Sequence, residues 1–417
     1  WKLTNFPERA AYMQKAATIL RSKTTQLARL MALEMGKPVK AGAAEIEKCA
    51  LCCEYYARHA EEFLQPEFVE TESARSYVTF QPLGIVLAIM PWNFPFWQLF
   101  RFLAPALMAG NCGILKHASN VSGCALAIDD IIKEGGFPEN VFQVVLVRGS
   151  AVDQIIENPL IKAVTLTGST EAGKKVAQKA GSLLKKTVLE LGGSDPYIVL
   201  KDANLEHAAE ICADSRLINS GQSCIAAKRF IVVKEVADEF TALFKNKMAH
   251  KSLGDPLLES TAIGPQARID LREQLHQQVL KSIELGAECI LGGEIPEGEH
   301  AFYPSTVLRN VKKGMPVYDE ETFGPVAAII TAEDEEEAIS IANDTAFGLG
   351  AAIFSSDVER AEKIAANRLD AGCCFVNESV KSDPRMPFGG IKESGYGREL
   401  GIYGIKEFVN IKSIVVA

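Results

Sequence analysis

Long apolar runs are missing from this chain of 417 residues: none reaches the roughly 18–20 residues that a membrane-spanning helix needs. Concentrated positive charge is missing too. The net charge is −9, with charged residues at 23% and no basic stripe, so nothing supplies the electrostatic footprint of a nucleic-acid binder. There is no internal repeat and no low-complexity linker. Residues 1–10 carry charge without an apolar segment, so no secretory signal is expected there. Histidines number six, and Cys49 with Cys52 is a ligand-like spacing with no second pair to complete it, so no metal site is expected. The ten cysteines are an even count, but Cys52–Cys53 and Cys373–Cys374 are adjacent pairs inside apolar segments; reduced, mostly buried thiols are expected rather than a disulfide framework.

What is present is apolar residue in quantity, 47% of a chain long enough for two or three domains. From residue 1 to about 63 the apolar spacing is helical, at three and four. Residues 75–81 alternate like a strand. Then short apolar runs (85–90, 112–115, 141–147, 163–166, 187–191) take turns with helical stretches (96–109, 123–133, 151–157, 171–180). That alternation predicts a parallel sheet covered on both faces. A second unit begins near Gly192 and runs through strands at 231–233, 326–330 and 372–376. The acidic run Glu333 to Glu337 reads as a helix start, where the dipole favours negative charge. An apolar strand at 411–416 closes the chain with no helix to cover it, so a contact with another subunit is expected there, helped by the stretch near 71–81.

Four segments carry chemistry. In Asn219-Ser-Gly-Gln-Ser-Cys224, small polar residues leave one thiol approachable, and Lys228-Arg229 bring positive charge nearby, as a nucleophile requires. A small core cysteine would also fit that segment alone. In Leu189-Glu190-Leu191-Gly192-Gly193 a carboxylate ends an apolar strand, where open α/β sheets place ligands; desolvated, it could serve as a general base, or equally form a rim salt bridge. Pro91-Trp92-Asn93-Phe94-Pro95 stiffens a loop around the Asn93 amide, suited to an oxyanion or to capping a helix. Leu166-Thr-Gly168-Ser169-Thr-Glu-Ala-Gly173 is a strand, a tight turn and a helix start that could hold a pyrophosphate, though it is not G-x-G-x-x-G. Lys116 ends an earlier strand near ribose or phosphate, or is simply solvated.

Taken together and in this order, the four segments resemble the aldehyde dehydrogenase superfamily over essentially the whole chain. Glu321-Thr-Phe323-Gly-Pro-Val326, Asn343 through Phe347-Gly-Leu-Gly350, and Pro387-Phe-Gly-Gly-Ile-Lys-Glu-Ser-Gly395 resemble it too, and the bacterial succinate-semialdehyde dehydrogenase branch is the most similar. The resemblance implies an α/β fold with a Rossmann-type cofactor domain (1–64 and 83–191), an α/β catalytic domain (192–392) and a small oligomerisation arm (65–82 and 405–417). It implies Cys224 as nucleophile, Glu190 as base, Asn93 in the oxyanion hole, and Glu321 with Phe323 at the nicotinamide ribose. Pro91, Trp92, Lys116, Ser119, Gly168, Ser169 and Leu191 complete the expected cofactor contacts. The family normally begins with several dozen further residues.

The expected reaction is NAD(P)+-dependent oxidation of an aldehyde to an acid through a Cys224 thioester, with a poised, ionised sulfur. Many NAD-preferring relatives carry Glu where Ser119 stands; Ser lifts that repulsion and Lys116 adds charge, so NADP+ preference is expected, with NAD+ possible. Trp97 and Arg101 follow Asn93 at steps of four, on one helix face. Arg101 with Ser382 is the expected clamp for a distal carboxylate, and a structural pair with a buried acid is the alternative for Arg101. The expected substrate is succinate semialdehyde. Alternatives are another semialdehyde such as glutarate semialdehyde, an aliphatic aldehyde, or a non-catalytic dinucleotide-binding homologue. A cytoplasmic homodimer or homotetramer with a small-molecule substrate, and with neither nucleic acid nor membrane as partner, completes the expectation.

Overall fold

The computed structural model describes residues 1–298 and 300–417. Continuous apolar runs become central parallel strands because both faces are covered. Ile85–Met90 pairs with Cys112–His117 on one side and Ile161–Thr167 on the other. The six-stranded sheet has the order Gly395–Tyr396, Lys186–Glu190, Ile161–Thr167, Ile85–Met90, Cys112–His117, Phe142–Val144. One face packs on the helices Phe6–Ser22, Thr24–Met35, Val39–Phe63, Trp97–Met108 and Ser122–Glu134, the other on Val152–Glu157 and Thr170–Ser182. The long N-terminal helical pattern is three helices, not one. Asn5 and Glu8 form a capping box on the first, and Gly36, in the left-handed region at φ 76°, ends the second.

The seven-stranded sheet has the order Glu288–Leu291, Thr306–Arg309, Val326–Ala332, Arg229–Val233, Pro196–Val199, Gly350–Phe354, Cys373–Val376. Four of these strands escape the sequence reading. Pro196–Val199 is short and opens on a proline, a residue that counts against a central strand unless it stands first. Gly350–Phe354, fully buried, opens on a glycine. The acidic run does start a helix: Asp334 caps Glu335–Asn343 by accepting from the Glu337 N–H.

Val409–Val416 pairs antiparallel along its whole length with Arg75–Pro82 of the same chain, and Glu67–Val69 adds a third strand. Its outer edge remains open, with Ile411 and Val415 exposed. Gly395–Tyr396 returns to the first sheet and pairs antiparallel with Glu190 and Leu189. That pairing brings the late glycine-rich segment against the strand end that carries Glu190.

Candidate active site

The chain before Cys224 is forced into an unusual path. Asn219, Ser220 and Gly221 all lie in the left-handed region, at φ 51°, 58° and 77°. A Cβ on Gly221 would sit 2.2 Å from the carbonyl carbon of Gly324, so only glycine fits. Arg216 holds the turn by donating to the Gly221 carbonyl at 2.7 Å. The turn leaves Cys224 half-buried on a cavity wall. Lys228 and Arg229 do not face the sulfur as free charges. The Lys228 ammonium donates to the carbonyls of Ser223, Cys224 and Ala226, and Arg229 to those of Ser194, Ile341 and Ala342. Burial pushes the Cys224 thiol up to about 12 against the opposing pull of Arg101 and Lys228. Burial thus works against ionisation of the sulfur, and the nearby cations work for it.

The Pro91–Pro95 loop is anchored from below. Glu45 on helix Val39–Phe63 accepts from the backbone N–H of Phe96 and of Trp97, at 2.8 and 2.9 Å, and is itself paired with the buried Lys37. The Lys37 ammonium lies 3.8 Å from the Phe94 ring centre. Above, Asn219 Nδ2 donates to the Asn93 carbonyl at 2.7 Å, and Asn93 Nδ2 donates to the Gln222 carbonyl at 3.1 Å. The amide loop and the cysteine turn are thus stitched together, and Asn93 and Cys224 line one cavity. An amide nitrogen has two hydrogens, so Asn93 retains a donor beyond the one given to Gln222.

Glu190 is buried, ends its strand as expected, and lies outside that cavity, 3.9 Å from Arg101. Among the described residues neither of its carboxylate oxygens has a hydrogen-bond partner. Burial, opposed by Arg101 and reinforced by Glu399, raises its pKa to about 8. Arg101 is itself buried, ion-paired with Glu399, and donates to the Thr167 hydroxyl at 3.2 Å. The two halves of the expected carboxylate clamp are therefore engaged separately. Arg101 belongs to buried acids, whereas the Ser382 hydroxyl accepts from Trp97 Nε1 at 3.1 Å and from Lys48 at 2.8 Å.

The cavity, about 300 Å³, gathers Pro91, Trp92, Asn93, Gly168, Ser169, Leu191, Cys224, Glu321 and Phe323 on one surface. Phe323 meets Trp92 edge to face at 5.7 Å. Glu321 accepts from the Gly193 N–H at 3.1 Å and stands 3.5 Å from Lys228. A Cβ on Gly192 would fall 2.5 Å from the Glu321 carboxylate, so that glycine is what lets the acid reach the cavity. A second cleft, about 770 Å³, is lined by Ile89, Lys116, Leu166, Ala172 and Val176. Ser169, which accepts from the Ala172 N–H, caps the helix between the two clefts. Ser119 lies exposed at the turn after the Lys116 strand. Two clefts on either side of a helix N-terminus, at the C-terminal ends of parallel strands, fit an elongated dinucleotide.

Sequence reasoning missed Lys37, Glu45, Thr167, Glu399 and the segment 271–278, which contributes Leu271, Gln274, Leu275 and Gln278 to the cavity. Thr167, beside Gly168 in a motif already singled out, carried a signal; the others sit in ordinary helical or loop patterns and carried none.

The aldehyde dehydrogenase family model matches residues 1–414. A probable NADP+-dependent succinate-semialdehyde dehydrogenase of Synechocystis is 50% identical over 412 residues, covering 99% of this chain and 90% of that relative. The NAD(P)+ succinate semialdehyde dehydrogenase Sad of Escherichia coli is 45% identical over 414 residues, covering 99% and 89%. Among solved structures, succinic semialdehyde dehydrogenase from Streptococcus pyogenes in complex with NADP+ superposes with a TM-score of 0.97 at 37% identity, covering 100% of this chain and 91% of that one. With its nucleophile turn, amide loop and paired clefts, the chain belongs to the aldehyde dehydrogenase family.

Proposed function

We propose that this protein oxidises succinate semialdehyde to succinate, with NADP+ as the preferred oxidant and NAD+ as the poorer one. The observation that carries the reading is the convergence of Cys224, Asn93, Glu321 and Phe323 on one cavity. The naming of relatives at 45–50% identity for this substrate supports the choice of aldehyde. Trp92, Phe323 and Glu321 would hold the nicotinamide, which would supply the hydride acceptor when bound. The chain does the rest. Cys224, once deprotonated, attacks the carbonyl carbon, and the oxyanion takes hydrogen bonds from the Asn93 amide and the Cys224 backbone N–H. After oxidation the acyl group is held on sulfur as a thioester. Glu190 takes a proton from water, the hydroxide adds to the thioester carbonyl, and the C–S bond breaks to release the acid and return Cys224 as the thiolate.

Lys116 and the helix start at Ser169 would hold the cofactor phosphates, and Ser119 leaves room for a 2′-phosphate. Ten unpaired cysteines and a thiol nucleophile suit a reducing cytoplasm. The open edge of Val409–Val416 supports assembly as a homodimer or homotetramer. Steady-state kinetics on straight-chain aldehydes with and without a terminal carboxylate, run with both cofactors, test the reading. Succinate semialdehyde should exceed butyraldehyde at least about tenfold in kcat/KM, the worth of one charge-assisted hydrogen bond; parity would reject it.

A further inference from the structure

Lys228 and Arg229 stand side by side in the sequence, and folding gives them different work. Arg229 donates to the Ser194, Ile341 and Ala342 carbonyls, none of them in the cysteine turn. The Lys228 ammonium turns back on that turn and donates to the carbonyls of Ser223 at 3.0 Å, Cys224 at 2.7 Å and Ala226 at 3.2 Å. Three acceptors take three hydrogens, which only the charged form carries. The side chain is closed off from solvent, and Glu321 stands 3.5 Å away as a counter-charge. Lys228 has no hydrogen left over and does not line the Cys224 cavity. Whatever it does for the reaction, it does through the backbone.

Two of those carbonyls flank the nucleophile. A peptide unit is planar and trans, so its N–H points opposite to its C=O. The Ser223 carbonyl and the Cys224 N–H belong to one such unit, and drawing the carbonyl onto the ammonium turns the N–H the other way. The Ser223 carbonyl also accepts from the Ala226 N–H at 3.2 Å, so the plane of this unit is held twice. The Cys224 carbonyl, on the following unit, fixes the residue from its other side. It is tightly seated: a Cβ on Gly193 would fall 2.7 Å from its oxygen. Among the described residues the Cys224 N–H itself donates to nothing. A backbone donor left unpaired beside a nucleophile, on a peptide whose carbonyl end is doubly engaged, is ready for charge that arrives only during reaction. A cation at the carbonyl end also polarises the amide and strengthens its N–H as a donor.

We infer that Lys228 is the positioning residue of the oxyanion hole: it grips both peptide units of Cys224, so that the Cys224 N–H, with the Asn93 amide, meets the oxygen that gains charge when sulfur attacks. The inference deepens the thioester reading and rests on it. Two reactions of the same sulfur, neither needing cofactor or aldehyde, separate this role from general damage. Attack on p-nitrophenyl acetate moves an electron pair onto the ester carbonyl oxygen; its return expels nitrophenolate and leaves acetyl on Cys224. Alkylation by iodoacetamide displaces iodide from carbon and builds no oxyanion. Both rates follow the same thiolate population, so their ratio at one pH reports the oxyanion hole. Acylation is read as the nitrophenolate burst, with Cys224→Ala as blank, and alkylation on the Cys224 peptide by mass spectrometry. Lys228→Met should lower the ratio of acylation to alkylation roughly 10- to 100-fold, approaching outright loss of a donor. Lys228→Arg, which keeps the charge and several donors, should recover much of it. Lys228→Gln, with one donor group and no charge, gives the same reading should the Met variant fold poorly. Asn93→Ala, which removes the other donor, should lower the ratio as well. An unmoved ratio in Lys228→Met beside a lowered one in Asn93→Ala overturns the inference, whether both rates survive or fall together. An unmoved ratio in Asn93→Ala overturns the oxyanion reading beneath it.

Discussion

Arg101 Nη2 lies 3.9 Å from the Glu190 carboxylate, and the same guanidinium is ion-paired with Glu399, so one buried cation stands between two buried acids. One positive charge cannot fully stabilise two carboxylates in a dry setting, and both acids are pushed upward in pKa by burial.

The pH dependence of turnover follows. Glu190 accepts a proton only when ionised, and its pKa is about 8. Where thioester hydrolysis limits turnover, kcat should therefore rise with pH and level off above about 8. Glu190→Gln should remove that rise and give one equivalent of reduced cofactor before stalling, a burst visible at 340 nm in rapid mixing. Continued turnover in the Gln variant would remove Glu190 from the role.

Cys224 without cofactor should be a slow thiol. With its pKa near 12, alkylation by iodoacetamide should keep accelerating from pH 7 to pH 10 instead of reaching a plateau. Mass spectrometry of the peptide bearing Cys224 separates it from the other nine cysteines. Cys224→Ala should abolish dehydrogenase turnover.

Ser119 is exposed beyond the strand that carries Lys116, so Ser119→Glu is tolerated by the fold. Its carboxylate would repel a 2′-phosphate and grip ribose hydroxyls. The ratio of kcat/KM for NADP+ to that for NAD+ should fall by about an order of magnitude or more.

Glu45 holds the amide loop from beneath. Glu45→Ala strands the Lys37 charge in the interior and frees the Phe96 and Trp97 N–H groups, which should cost about 3–5 kcal/mol in denaturant unfolding. Replacing Lys37 and Glu45 together with Met should restore much of that stability, because no unpaired charge remains. Activity should stay low in both variants, since Asn93 depends on this anchor.

The run Ile85–Met90 could hardly be misread: six apolar residues bounded by Gly84 and Pro91 have no other economical burial than a covered parallel strand. The end of strand Lys186–Glu190 was legible for the same reason. Gly350–Phe354 and Pro196–Val199 were not, because runs of five and four residues acquire strand identity only from the neighbours that bond to them. The Val409–Val416 strand was visible, but its partner Arg75–Pro82 lies more than three hundred residues earlier, and periodicity carries no information about pairing.

By itself, the sequence determined the class of chemistry: local motifs held one approachable thiol, one rigid amide loop and one carboxylate at a strand end, and such features depend on neighbours along the chain. Only the tertiary structure decided how the charges are spent. Arg101 was drawn to Glu399, Lys228 and Arg229 to backbone carbonyls, and Lys48 was left facing Ser382 without an acid. Electrostatic pairing depends on distance and burial through space, and residues 48 and 382 become neighbours only when the chain has folded.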